Sequence, residues 1–205
     1  MSKPNYIFSG SRGSGKSFAA MALAKRRESV VYIDPTSTVT SMDYTSTDPK
    51  QIAEVIRRYP TFSACLWVNH LSREEMKEGI SPVVSEAEAK EKWVTVIIDE
   101  VGVVCPGRTG NDEIERSARM GRHNKTSFWF ISQRAVDISQ NLRAQCEKMF
   151  VYRTASARDI ESVKREYGKE AAEAVTKLGK YEYVLIDTQS RQWSTREPIP
   201  APKAV

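Results

Sequence analysis

Histidine is nearly missing from this 205-residue chain, with His70 and His123 its only two. Three cysteines, Cys65, Cys105 and Cys146, are odd in number, widely spaced, and stand in no metal-like pairing with either histidine. That pattern argues against a zinc site or a disulfide framework and fits reduced thiols in a cytosol. No apolar run approaches the ~20 residues of a membrane helix, and no basic-then-apolar leader precedes the first strand-like stretch. Internal repeats and a convincing linker are also lacking. Charge is nearly balanced: 31 basic against 26 acidic residues leave +5, a mild bias toward a polyanionic partner that decides nothing alone. A cytoplasmic protein with one α/β-sized domain is expected over residues 1–197, followed by a disordered Pro/Ala-rich tail over 198–205.

What is present begins almost at once. Gly10-Ser11-Arg12-Gly13-Ser14-Gly15-Lys16-Ser17 is a complete G-x-x-x-x-G-K-[ST] loop. Its glycines let backbone N–H groups close on an anion without an intervening Cβ. Lys16 can reach the β- and γ-phosphates, and the Ser17 hydroxyl can ligate Mg²⁺. Tyr6-Ile7-Phe8 reads as a strand before the loop, and Ser17 to Lys25, with Phe18 next to the phosphates, as a helix after it. The expected ligand is a nucleoside triphosphate.

Further strands are expected at Val30–Asp34, Cys65–Val68, Trp93–Ile98, Ser127–Ile131 and Lys148–Tyr152. A Pro/Ser/Thr-rich loop should run to about Asp48, and helices are expected over 49–58, 111–122, 156–167 and 169–177. Residues 72–92, dense in Glu and Lys and interrupted by Pro82, read as one or two exposed helices. Glu182–Asp187 and Arg191–Ser194 resemble a closing hairpin with its turn at 188–190. The alternation of strands and helices points to a mainly parallel sheet with helices on both faces and the ligand at the strands' carboxyl ends.

Val94 to Ile98 ends in Asp99-Glu100. Asp99 can hold the Mg²⁺ that bridges the phosphates, and Glu100 can polarise an attacking water, which makes the reaction hydrolysis. Gln133, past the next strand, can read the γ-phosphate. Arg122, then Arg119, suit an arginine finger toward a neighbouring subunit, with Arg143 and Arg153 as further options. A kinase would need an acceptor site and an Arg-rich lid. Asp99-x-x-Gly102 hints at a GTPase, but no N-K-x-D follows. A non-hydrolysing, ATP-gated assembly protein is the remaining rival.

Taken together, the P-loop, Ile97-Ile98-Asp99-Glu100, and Gly121-Arg122-His123-Asn124 followed by Phe130-Ile131-Ser132-Gln133-Arg134 resemble the FtsK–HerA superfamily of P-loop ATPases. Within it the chain is most similar to the genome-packaging ATPases of double-jelly-roll icosahedral viruses of the tectivirus and turrivirus kind. The resemblance implies an α/β, RecA-like fold of the additional-strand, catalytic-glutamate type with a C-terminal β-hairpin. It implies ATP and Mg²⁺ as cofactors, a hexameric or pentameric ring, and double-stranded DNA threaded through it. Capsid or portal-vertex proteins would be partners, and the host cytoplasm or the virion vertex the location. Cellular or plasmid segregation and conjugation ATPases, or filamentous-phage assembly ATPases, are the nearest alternatives. For DNA contact the expectation falls on Arg108 in the loop 102–110, or on the 72–92 insertion.

Overall fold

The computed structural model describes residues 3–105, 112–121 and 123–201. Its elements open with β1 (Tyr6–Ser9), α1 (Lys16–Ala24), β2 (Ser29–Asp34), β3 (Tyr44–Ser46), α2 (Pro49–Arg58) and β4 (Phe62–Trp67). They continue with α3 (Arg73–Glu88), β5 (Val94–Ile98), α4 (Val101–Val104), α5 (Asp112–Met120) and β6 (Thr126–Ser132). A 3₁₀ turn at Ala135–Asp137 leads to α6 (Gln140–Ala144), β7 (Lys148–Tyr152), α7 (Ala157–Tyr167), α8 (Lys169–Lys177), β8 (Tyr183–Asp187) and β9 (Trp193–Arg196).

The strands form one sheet in the order β3-β4-β2-β5-β6-β1-β7-β8-β9. All pairings from β3 to β7 are parallel, whereas β7–β8 and β8–β9 are antiparallel, giving the expected C-terminal hairpin. β6 lies between the P-loop strand β1 and β5, the strand that ends before Asp99-Glu100. That intervening strand is the additional one of the RecA-like class.

Near-continuous apolar runs are what a parallel strand covered on both faces requires. Neighbouring residues alternate between two cores: Ile7, Val31, Val96 and Phe128 on one side; Phe8, Tyr32, Ile97 and Trp129 on the other. The first core is roofed by α2, α3 and α5 to α8. The second carries α1 alone, whose Ala19, Ala20 and Ala24 bring the helix close to an aromatic floor of Phe8, Trp129, Phe150 and Tyr152. Phe8 and Phe150 stack there at 4.5 Å between centroids.

Local capping explains the helix starts. Asp48 accepts from the Lys50 N–H, with Pro49 opening α2, and Ser72 and Glu75 form a reciprocal capping box on α3. Two expectations need correction. The segment 72–92 holds a single helix, and it is not an exposed one: Met76, Ile80, Val83, Val84 and Ala87 are buried in the first core. Pro82 stays inside it, on the exposed side, forgoing one backbone hydrogen bond. The loop to Asp48 also contains the short edge strand β3, whose Tyr44-Thr45-Ser46 is too brief to register as a pattern.

Candidate active site

Parallel pairing gathers the loops that follow β1, β2, β5, β6 and β7 at one end of the sheet. The P-loop leaves β1 through Gly10, at φ +145°, where an added Cβ would fall 2.6 Å from Tyr152 Cβ. The Ser11 N–H donates to the Arg153 carbonyl at 3.1 Å, and the Ser14 N–H to the Ser11 carbonyl at 3.2 Å. Gly15, left-handed at φ +94°, caps α1 and leaves the first-turn N–H groups of that helix facing the loop's hollow. The Ser14 hydroxyl is buried there without a hydrogen-bond partner.

Lys16 is 6% exposed, and its ammonium donates to the carbonyls of Gly10 (2.7 Å) and Ser11 (3.0 Å). Burial lowers its pKa, while the nearby Glu100 and Asp99 work against that shift. A triphosphate arriving in the loop would give this ammonium the phosphate oxygens in exchange for two carbonyls.

Across the hollow, the Ser17 hydroxyl donates to Asp99 Oδ2 at 3.0 Å. Tyr32, fully buried in β2, donates its phenol to the same oxygen at 2.5 Å. Burial first, and the Asp99 charge second, raise the Tyr32 pKa far above its ordinary value, so the phenol stays a donor. The remaining Asp99 oxygen, Oδ1, accepts the Glu100 N–H at 2.8 Å. Ser17 and Asp99 therefore stand as two adjacent oxygen donors, the chemistry a small divalent cation takes when phosphates supply its other ligands. Mg²⁺ fits that pair.

Glu100 sits at φ +42°, a left-handed backbone that a non-glycine residue adopts at a cost of about 1–3 kcal/mol. Strain of this kind persists where the surroundings hold it, and here the Gln133 side-chain amide donates to Glu100 Oε1 at 2.8 Å. Lys16, Ser17, Asp99, Glu100 and Gln133 thus converge from three loops.

No protein-family model matches the chain, and no curated protein matches it in sequence. Solved structures do. The genome packaging NTPase of Sulfolobus turreted icosahedral virus 2, in complex with ATPγS, superposes with a TM-score of 0.80 at 18% identity, covering 97% of this chain and 98% of the other. The two chains share one fold. VirB4 of Thermoanaerobacter pseudethanolicus gives 0.72 at 11% identity, covering 97% of this chain and 90% of that one. The N-terminal domain of zonular occludens toxin from Neisseria meningitidis gives 0.50 at 15% identity over 97% and 96%. Likeness to the packaging NTPase runs the length of the chain, hairpin included.

The remaining sequence-derived residues lie elsewhere or outside the described residues. Arg119 is exposed at the opposite end of the sheet, where a cleft of about 890 Å³ is lined by it, Asn5, Arg143, Arg165 and Glu166. Within one chain neither Arg119 nor Arg143 meets the P-loop; Arg143 pairs with Glu166 at 3.3 Å. Among the described finger options, Arg153 alone stands beside its own P-loop, which it braces through its carbonyl. Arg122 and Arg108 lie outside the described residues.

Two features escaped the sequence. Tyr32 carries the one phenol in the run Val30–Asp34, flanked by the aliphatic Val31 and Ile33, and that is its only signal in the sequence. The other is a cavity of about 550 Å³ beside Ser17 and Phe18, closed by Tyr181, Pro198 and Ile199. Ile199, within the segment expected as a tail, packs against the second core.

Proposed function

We propose that the chain is an ATP hydrolase that drives double-stranded DNA, working as a genome-packaging motor of the FtsK–HerA superfamily. The observation that carries this reading is the convergence of Lys16, the Ser17–Asp99 pair and the Gln133–Glu100 pair on one hollow at the strand ends. Support for packaging as the task comes from the end-to-end likeness to a packaging NTPase with an ATP analogue bound.

In this mechanism the P-loop N–H groups and Lys16 hold the β- and γ-phosphates. Ser17 and Asp99 would hold Mg²⁺, which would supply charge neutralisation to the phosphates. Tyr32, through Oδ2, and the Glu100 N–H, through Oδ1, orient the Asp99 carboxylate. Glu100 takes a proton from the attacking water, and Gln133 couples that carboxylate to the γ-phosphate.

The site would be completed in a ring, with an arginine of the next subunit at the γ-phosphate. Arg122 is first choice and Arg119, exposed at the far end of the sheet, the second. DNA is assigned to Arg108 and its loop. The alternative surface, α3, carries Glu74, Glu75 and Glu78 among its exposed residues beside Lys77, and those carboxylates repel phosphates.

The test is displacement of a triplex-forming strand from linear double-stranded DNA. The wild-type chain should displace it with ATP and Mg²⁺, and Glu100→Gln should not. Displacement that proceeds equally without ATP, or none despite ATP hydrolysis, contradicts translocation.

A further inference from the structure

We propose that the cavity between α1 and the C-terminal segment is a nucleobase pocket that takes adenine and guanine alike, with the Tyr181 ring as its stacking platform. The inference rests on the triphosphate reading of Lys16 and Ser17.

Placement comes first. The cavity opens beside Ser17 and Phe18, at the start of α1, so a nucleotide with its phosphates along the P-loop would extend its nucleoside into it. Its volume of about 550 Å³ falls in the range of small-molecule sites. Tyr181 holds a backbone φ of +68°, a region bulky residues enter only under constraint. The result of that constraint is an aromatic ring against the P-loop: a Cβ built on Gly15 would lie 3.0 Å from Tyr181 Cδ1. Tyr181 remains 44% exposed, with the Lys180 ammonium over its ring at 5.0 Å from the centroid, and Phe18, 54% exposed, flanks the same cavity. Large apolar groups held open to solvent beside a phosphate loop are what a stacking base would cover. Every base offers a π-face, so stacking of this kind does not choose among them.

Selection would have to come from the wall's hydrogen bonds, and the wall has few. Lys16 and Ser17 are committed to phosphate and cation. No carboxylate or amide side chain lines the cavity among the described residues, which leaves the hydroxyls of Tyr152 and Tyr181. Tyr152 is 1% exposed, and its hydroxyl is buried with no hydrogen-bond partner. Burial raises its pKa, keeping it a neutral O–H. A hydroxyl accepts as readily as it donates. A hydroxyl on the wall can therefore meet the amino group of adenine or the carbonyl of guanine at the same place, where a carboxylate would discriminate.

Calorimetric titration with ATP, GTP and inorganic tripolyphosphate, each with Mg²⁺, tests this. For the wild-type chain, ATP and GTP should bind within about five-fold of one another, as stacking without edge readout implies. Tyr181→Gly removes the ring and is at ease at positive φ; it should weaken both nucleotides about ten-fold or more while leaving tripolyphosphate binding unchanged. Tyr181→Phe keeps the platform and should bind like wild type, with thermal melting confirming that both variants fold. A preference for ATP over GTP beyond about 100-fold, the mark of a site built on base-edge hydrogen bonds, overturns the proposal. So does unchanged ATP affinity in Tyr181→Gly. Failure of the wild-type chain to bind tripolyphosphate and both nucleotides would instead overturn the triphosphate reading itself.

Discussion

Glu100 pairs a strained backbone with a hydrogen-bonded carboxylate, and both observations fit the general base proposed for it. Glu100→Gln should cut ATP turnover by about 10²–10⁴ while calorimetry shows ATP binding retained. A variant that still turns over at near wild-type rate would remove Glu100 from the chemistry. Tyr32 makes a different claim, because it acts through Asp99 and not on phosphate. Tyr32→Phe leaves the ring in its core position and deletes one donor to Asp99. The Mg²⁺ concentration needed for half-maximal turnover should rise about 10-fold, as loss of a partner behind a metal ligand does elsewhere. An unmoved Mg²⁺ midpoint would make Tyr32 a packing residue only. The P-loop and Asp99-Glu100 were legible in the sequence because covalent spacing itself encodes their geometry. Tyr32 was not, since its partner stands 67 positions away on another strand and only strand pairing brings them together.

Among the elements, α3 shows how composition misleads. Its Glu and Lys content reads as solvent-facing, yet charge on one side of a helix says nothing of the other. Met76, Ile80, Val83, Val84 and Ala87 recur at helical spacing and fill the first core. Ile80→Ala should therefore cost about 2–5 kcal/mol in urea unfolding, as for a buried aliphatic residue. A loss below about 0.5 kcal/mol, usual for surface changes, would place the helix outside the core. The strand β3 escaped because three residues, partly exposed at a sheet edge, leave no alternation to read. Most other elements were legible to within a few residues, since parallel strands buried on both faces announce themselves as continuous apolar runs.

At the scale of the molecule, three buried thiols bear on pH. Burial pushes the Cys65 thiol up to about 12 from an ordinary value near 9.0, and raises Cys105 and Cys146 as well. Below pH 9 these groups are neutral in both folded and unfolded chains, and their contribution to stability is fully present. Above it the unfolded thiols ionise first, so stability falls as pH rises from 9 toward 12. Urea midpoints at pH 8 and pH 10 should show the decline, and an unchanged midpoint would contradict the burial of these thiols. The sheet order was legible only as a class. A sequence can announce parallel strands, but the insertion of β6 between β1 and β5 depends on long-range pairing.

The central claim is that one chain holds half a site which a neighbour and DNA complete. Phosphate release measured with and without long double-stranded DNA, across a range of protein concentrations, tests it most directly. The account predicts a DNA-stimulated rate that rises more steeply than linearly with protein and weakens as salt is raised. A specific activity that is flat with concentration and indifferent to DNA would contradict it.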